Sequence, residues 1–549
     1  MESHRFDYVI VGAGTAGCVL ANRLSADPDV TVVLIESGGR DWNPLLSIPL
    51  GVGMLWSRRL YDWGYDSEPQ PELGGRRLEM MRGKVLGGSS SINAMSHVRG
   101  RPGDFDRWAA RGCPGWSFEE VAGYFARSER WEGGRTSASA GARRGHDGPL
   151  GVMASTSDDP LFDAWLSAAA ALGYPVLDDY NLGAVEGFGR SQFSIDRGRR
   201  ASASRAFLEP ARHRPNLTIW TQATVDSLIL KGDRALGVVC NRKGRARNVI
   251  AERAVVLCAG AFGTPALLMR SGIGDPAEMR PYDIPVVADR PAVGKNLQDH
   301  PGVVVGYGRR EPGAFRRSMR ADRVALNMLR ALVLGTGPAT ILPSGLHGFA
   351  RLRPESAVPD IQFMFRGAPR DASPWFPAVR PAYRDSYAIR PVLLNPRSRG
   401  HVRLGGSEPD VAPRIDPRLL SDPADLADLR EGVRLARDLG RHASLSAFRS
   451  DEITPGRSVR SDAQIDAFIR RKAATAHHPA GTCRMGADDS AVVDTRLRVN
   501  GIAGLRIADA SVMPDLVSGN INATVMMIAE RCADFLLKPE LDRMPNLQR

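Results

Sequence analysis

One stretch near the N-terminus constrains the fold more than any other in this 549-residue chain. Phe6–Val11 is a short apolar run with β-branched residues, and Gly12-Ala13-Gly14-Thr15-Ala16-Gly17 follows it. Cys18–Ser25 then continues as a helix, and Thr31–Ile35 is a second buried run with Glu36 at its end. Strand, glycine turn, helix, strand is the order of a dinucleotide-binding βαβ unit. Gly12 permits the tight turn, Gly14 lets backbone approach a pyrophosphate, and Gly17 lets helix and strand pack closely. Thr15 and Ala16 open the helix whose unpaired N–H groups face the phosphates. Glu36, 19 residues after Gly17, is placed for ribose hydroxyls, and an acid there disfavours a 2′-phosphate. The glycine pattern alone is weak evidence, and the plain alternative is a structural turn. The flanking strand, helix and acid make it a nucleotide site.

Composition removes other classes. With 43% hydrophobic and 24% charged residues, the chain is neither disordered, collagenous nor coiled coil. Cys18, Cys113, Cys240, Cys258, Cys483 and Cys532 form no CxxC pair, so neither a zinc site nor a disulfide framework is expected. Reduced thiols in a cytoplasmic protein fit better. The net charge is +12, but the basic residues are dispersed and no aromatic-basic module is visible, so nucleic acid is not an expected partner. Only six of the 73 basic residues are lysine, which reads as a compositional bias. No signal h-region or transmembrane segment is evident, because the apolar run Tyr8–Val11 is short and residues 324–343 carry Arg330 with glycines and prolines.

Residues 132–148 are rich in Gly, Ser, Ala and Arg and read as an exposed loop. Residues 217–257 alternate apolar runs with turns and read as strands. Residues 309–330 hold seven arginines against Glu311 and Asp322, and Leu326–Leu334 then has helical spacing. A solvated surface helix is the plain reading, while a lid or a peripheral membrane face stays open. Residues 422–449 and 462–472 read as helices, Leu505–Ala508 as a strand and Ala523–Leu537 as a helix. Ile361–Phe365 alternates as a strand, with Arg366 after it.

A second glycine cluster, Arg82-Gly83-Lys84-Val85-Leu86-Gly87-Gly88-Ser89-Ser90-Ser91-Ile92-Asn93, suggests another backbone surface against an extended cofactor. With it the chain resembles the glucose-methanol-choline (GMC) flavin oxidoreductases. Their two signatures match Gly83–Asn93 (GKVLGGSSSIN) and Gly260–Gly274 (GAFGTPALLMRSGIG). Asp62–Pro69, Pro291–His300, His478–Gly486, Ala508–Pro514 and Gly519–Asn522 match further family segments, in family order, over essentially the whole chain. Within the family the flavour is that of choline dehydrogenase and related bacterial alcohol dehydrogenases and oxidases.

The resemblance implies an α/β protein, with a Rossmann-type FAD-binding domain interleaved with an α+β substrate domain on an antiparallel sheet. The FAD domain would gather residues 1–150, 200–300 and 490–540, and the substrate domain 150–200 and 300–490. Further FAD contacts are expected from Trp63, Arg82, Gly83, Gly87, Gly88, Ser89, Asn93, Ala94, Val225, Asp509, Ala510 and Asn520. Some members attach FAD through a histidine where this chain has Ile92, so FAD is expected to be non-covalent, with His97 structural.

The resemblance also makes His478 the base and Asn522 its partner on the substrate oxygen, with His477 at the pocket wall. A histidine suits removal of a hydroxyl proton as hydride leaves for flavin. A bare asparagine at that place would read as a helix N-cap. No metal is expected, since no second ligand sits one helical turn from the histidine pair. The expected activity is oxidation of a primary alcohol to an aldehyde, with O2 or another acceptor reoxidising the flavin. Choline is one alternative substrate, and a flavin-containing hydroxynitrile lyase is the alternative of another class. No aromatic or acidic cage for a quaternary ammonium is identifiable. Arg366 and the basic 309–330 segment lean toward a neutral or anionic substrate, unless these arginines face solvent.

Overall fold

The computed structural model describes residues 3–133 and 144–538. The N-terminal unit forms as its sequence dictates. Strand Ser3–Val11 buries its apolar end, helix Thr15–Leu24 follows the glycine turn, and strand Val32–Ile35 is wholly buried. Gly12 has φ +98, and a Cβ on Gly17 would sit 1.9 Å from the Gly12 carbonyl oxygen. No other residue type allows that approach of helix to turn.

These strands lie inside a seven-stranded sheet. Ser3–Val11 pairs parallel with Val32–Ile35 on one side and Arg245–Leu257 on the other. Leu217–Trp220 extends one edge, and the hairpin strands Ala223–Lys231 and Arg234–Arg242 extend the other. The late strand Leu505–Ile507 joins Arg245–Leu257 in parallel. Helix Asn522–Leu537 packs on Thr15–Leu24, where Glu530 receives Arg23 at 2.7 Å.

An eight-stranded antiparallel sheet forms the second layer system. Its main path runs Arg449–Thr454, Val305–Arg309, Ser386–Leu393, Ile361–Arg366, Ser344–Ala350 and Gly187–Arg190. Helix Pro423–Arg441 covers its outer face, and the other face looks toward the glycine turn. The architecture is therefore α/β, with a Rossmann-like nucleotide domain and a separate α+β substrate domain, the chain crossing between them several times.

Three expectations need correction. The 422–449 helix stops at Arg441, because His442 leaves it in an extended conformation and caps a short 3-10 turn instead. Residues 134–143 of the expected 132–148 loop lie outside the described residues. Its far end is not exposed: Arg144 is buried and binds Glu129 and Asp179 at 2.6 Å each. Helix Ala321–Leu334 is no ordinary solvated helix either. It turns Leu326, Leu329, Val333 and Leu334 outward, each more than half exposed, while Val324 and Met328 line the interior cavity.

Among the described residues no helix is long and apolar enough to cross a membrane. All six cysteines are buried, and none is in a disulfide.

Candidate active site

A cavity of about 1340 Å³ runs from the glycine turn to the substrate sheet. It exceeds the roughly 300–1,000 Å³ of a pocket for one small ligand, as a site for an extended cofactor plus substrate must. Its walls include Gly12, Gly14, Thr15, Ala16, Glu36, Trp63, Arg82, Gly83, Gly88 and Ser89. Asn93, Ala94, Val225, Asp509, Ala510, Asn520, Asn522, His477, His478 and Arg366 complete the expected set. Gly17 and Gly87 do not reach it. Both pack behind the wall, where Gly87 N–H donates to the Ala13 carbonyl at 2.8 Å.

The cradle fits a dinucleotide by its own geometry. A Cβ on Gly88 would lie 2.7 Å from Gly14 Cα, so two glycine segments touch and present backbone alone. A Cβ on Gly14 would project into the cavity, meeting only the Cys258 carbonyl oxygen at 3.8 Å. Glu36 accepts from Ala13 N at 2.9 Å and Gly38 N at 2.8 Å. Burial pushes its carboxyl up to about 7, against the lowering by these amides and Lys84. Asp509 spends its carboxylate on Gly260 N, Thr264 Oγ1 and Ser511 N, at 2.6–2.8 Å, and so fixes the start of helix Gly260–Arg270 at the wall. Trp63 stacks on Tyr65, and Lys84 lies 4.4 Å over its ring.

The reactive end is a chain of side chains. His478 Nε2 lies 3.0 Å from Asn520 Nδ2, and His478 Nδ1 lies 3.0 Å from His300 Nδ1. Gln362 Nε2 donates to Asn520 Oδ1 at 3.3 Å, which turns the asparagine's NH2 toward His478. Nε2 of His478 is then an acceptor and Nδ1 a donor to His300. Asp299 holds the backbone in place, accepting from His478 N at 2.9 Å and His300 N at 2.8 Å.

Burial, then His300, Arg82, His477 and Arg390, holds His478 well below the usual histidine range. It is therefore neutral at neutral pH. His300 is pushed down to about 4 by burial. His477 is pushed down to about 3 by burial and then by Arg82, Arg390 and Arg370. It has φ +63, lines the wall near Trp56, and gives its carbonyl to Arg82 Nη2 at 2.7 Å.

The structure sets Asn520 rather than Asn522 against His478. Asn522 opens the last helix, where its Oδ1 accepts from Thr15 Oγ1 at 2.7 Å, on the nucleotide side. Asn520 precedes that helix, after Gly519 at φ +150, and there its amide meets the histidine. Neither asparagine caps the helix, since the N-cap is Ile521. His97 binds Glu129 at 3.0 Å, buried with Arg99 and Arg144, and takes no part in the cavity.

His300, Asp299, Gln362 and Arg390 were not singled out from sequence. His300 and Asp299 close the recognisable segment Pro291–His300 without a visible role. Gln362 is detectable by strand alternation, two residues from Met364. Nothing in the sequence near Arg390 marks it.

A two-part nucleotide cradle opening onto a neutral imidazole and an amide donor defines a nucleotide-cofactor oxidoreductase. Comparison with known proteins specifies it: models of the GMC oxidoreductase match residues 6–302 and 396–529, and the chain belongs to this family. It is 39% identical over 546 residues to an oxygen-dependent choline dehydrogenase of Paraburkholderia phytofirmans, covering 97% of this chain and 94% of that one. Pyridoxine 4-oxidase from Mesorbium loti is 34% identical, with a TM-score of 0.85 over 96% of this chain and 99% of that one. Formate oxidase from Aspergillus oryzae is 28% identical, with a TM-score of 0.90 over 99% and 100%. The protein is a GMC-type, FAD-dependent oxidoreductase that oxidises a CH–OH substrate.

Proposed function

We propose that the substrate is a primary alcohol, converted to the aldehyde, and that His478 and Asn520 are the groups that handle its oxygen. The observation that carries this is the chain Gln362–Asn520–His478–His300, which presents one donor and one acceptor 3.0 Å apart at the cavity wall. An alcohol oxygen is both donor and acceptor, so it pairs with His478 Nε2 through its proton and with Asn520 Nδ2 through a lone pair. As the C–H bond weakens, His478 Nε2 takes the hydroxyl proton, and Asn520 Nδ2 stabilises the charge growing on oxygen. His300 Nδ1 accepts from His478 Nδ1 and keeps the base in that tautomer. Bound FAD supplies the two-electron acceptor for the hydride. The backbone around Gly12, Gly14 and Gly88 would hold the dinucleotide, with Glu36 placed to take the ribose hydroxyls.

FAD attachment is proposed to be non-covalent. Ile92 is buried and offers no nucleophile, and its carbonyl accepts from Trp56 Nε1 at 2.7 Å. Acid precipitation should release all the flavin into the supernatant; yellow pellet would refute this.

Choline is the second reading, favoured by the curated relatives' names. An anaerobic visible spectrum against choline, hydroxymethyl-aromatics, sugars and aliphatic alcohols tests both, since one class should bleach the flavin. His478→Gln should keep FAD and slow that bleaching by roughly 10²–10⁴-fold, the contribution of a positioned base. Near-normal bleaching in this variant would remove His478 from the chemistry.

A further inference from the structure

The cavity face of the substrate sheet carries cations that alcohol oxidation alone leaves without a task. In strands Ile361–Arg366 and Ser386–Leu393, Met364 lies opposite Arg390, and Arg366 opposite Ala388. Alternation puts Gln362, Met364, Arg366 and Arg390 on one face, the one that reaches Asn520. Phe363 and Phe365 point the other way, into the core. Arg366 and Arg390 are diagonal neighbours, and Arg370 joins them from the loop beyond. Two like charges so placed disfavour one another.

Their partners are few. Arg390 Nη2 donates to the carbonyls of Ala474 and Thr475 at 3.2 and 3.0 Å, and Arg366 Nε is buried with no partner. The carboxylates that act on them are Asp299, on Arg390, and Asp371, on Arg366. Asp299 is already occupied by Thr475 Oγ1 and two backbone amides, and Asp371 lies exposed on the loop. Arg366 and Arg390 are each pushed down to about 10, by burial and then by neighbouring arginines, and so both stay charged at neutral pH.

We propose that the alcohol carries an oxyanion, a carboxylate or phosphate monoester, held by Arg390 and Arg366 with Arg370 at the entrance. This deepens the alcohol-oxidase or dehydrogenase reading above and rests on it. Gln362 marks the hydroxyl end, and Arg390 stands at the level of Met364, two residues along. At about 3.4 Å per residue the oxyanion sits roughly 7 Å from the reacting carbon. Guanidinium forks suit such groups because they bond both oxygens at once. A quaternary ammonium would meet like charge at the same place.

The test uses the FAD-loaded enzyme and a six-carbon series: 6-hydroxyhexanoate, 6-hydroxyhexyl phosphate, 1,6-hexanediol and (6-hydroxyhexyl)trimethylammonium, with choline alongside. One of the anions should exceed the diol at least tenfold in kcat/KM, mainly through KM, and the better of the two names the oxyanion. In Arg366→Gln and Arg390→Gln this anion-to-diol preference should fall at least tenfold. If Arg390→Gln does not fold, Arg366→Gln and Arg366→Met decide. A cation or the diol preferred over both anions, or a preference unchanged in the variants, overturns the proposal. Hexanoate cannot be oxidised, and its binding, followed through flavin absorption, should weaken at least tenfold in the same variants. Should no alcohol bleach the flavin, the oxidation reading fails, while hexanoate binding still decides the arginine site.

Discussion

Asn520 and Asn522 are two residues apart, and the structure gives them different partners, His478 for Asn520 and Thr15 for Asn522. That separation makes a sharp kinetic prediction. Asn520→Ala removes the Nδ2–H that lies 3.0 Å from His478 Nε2 and with it the donor to the reacting oxygen. Hydrogen bonds to a charged group contribute about 1.5–3 kcal/mol. At 1.36 kcal/mol per decade, flavin reduction should slow roughly 10- to 160-fold. Asn522→Ala loses only a neutral bond from Thr15 Oγ1, worth about 0.5–1.5 kcal/mol and expressed in stability and FAD retention. Its reduction rate should stay within about threefold of the parent, under 0.7 kcal/mol. Anaerobic stopped-flow absorbance at saturating alcohol reads the chemical step for both variants in the FAD-loaded enzyme. Slower reduction in Asn522→Ala than in Asn520→Ala would refute the assignment.

Two further outcomes follow from the same geometry. Gly88→Ala places a Cβ 2.7 Å from Gly14 Cα, backbone that cannot swing aside, at a φ of +53; the variant should purify with less FAD, read from the ratio of 450 to 280 nm absorbance. His300, His347 and His477 are held at about 4, 4 and 3, below the ordinary 6.5. The unfolded chain therefore binds more protons than the folded one between pH 6.5 and 4, so stability rises with pH across that window and falls on acidification. A Tm that stays flat from pH 7 to 4.5 would contradict these environments.

The nucleotide half was legible because its physics is local. Gly12, Gly17 and Glu36 sit within one βαβ unit, where Gly17 packs on the Gly12 carbonyl and Glu36 accepts from Ala13 N across 23 residues. Helix Asp462–Lys472 was equally readable, with Ser461 and Gln464 forming its capping box. The substrate half resisted because its contacts are remote in sequence. His478 meets His300 across 178 residues and Asn520 across 42. Arg390 matters only because its strand pairs with Ile361–Arg366, a register that no local pattern encodes. The choice between the two asparagines is hidden for a similar reason: both residues flank the start of one helix, and only the turn at Gly519 decides which faces the histidine. Helix Ala321–Leu334 was misjudged for the opposite reason. Its spacing was visible, but spacing does not say which side meets the protein.

Glu530 receives Arg23 and Arg127, and Asn522 receives Thr15 across 507 residues of chain. The nucleotide cradle therefore draws on two stretches that leave the ribosome about 507 residues apart. At about 5–20 residues per second, the glycine turn waits roughly 25–100 s for the helix that completes it. During that interval strand Ser3–Val11, central in the finished sheet, lacks its partner until Arg245–Leu257 is made and its covering helix until Asn522–Leu537 follows. A cradle that holds flavin consequently cannot form before helix Asn522–Leu537 has been made, however early its glycine turn is complete.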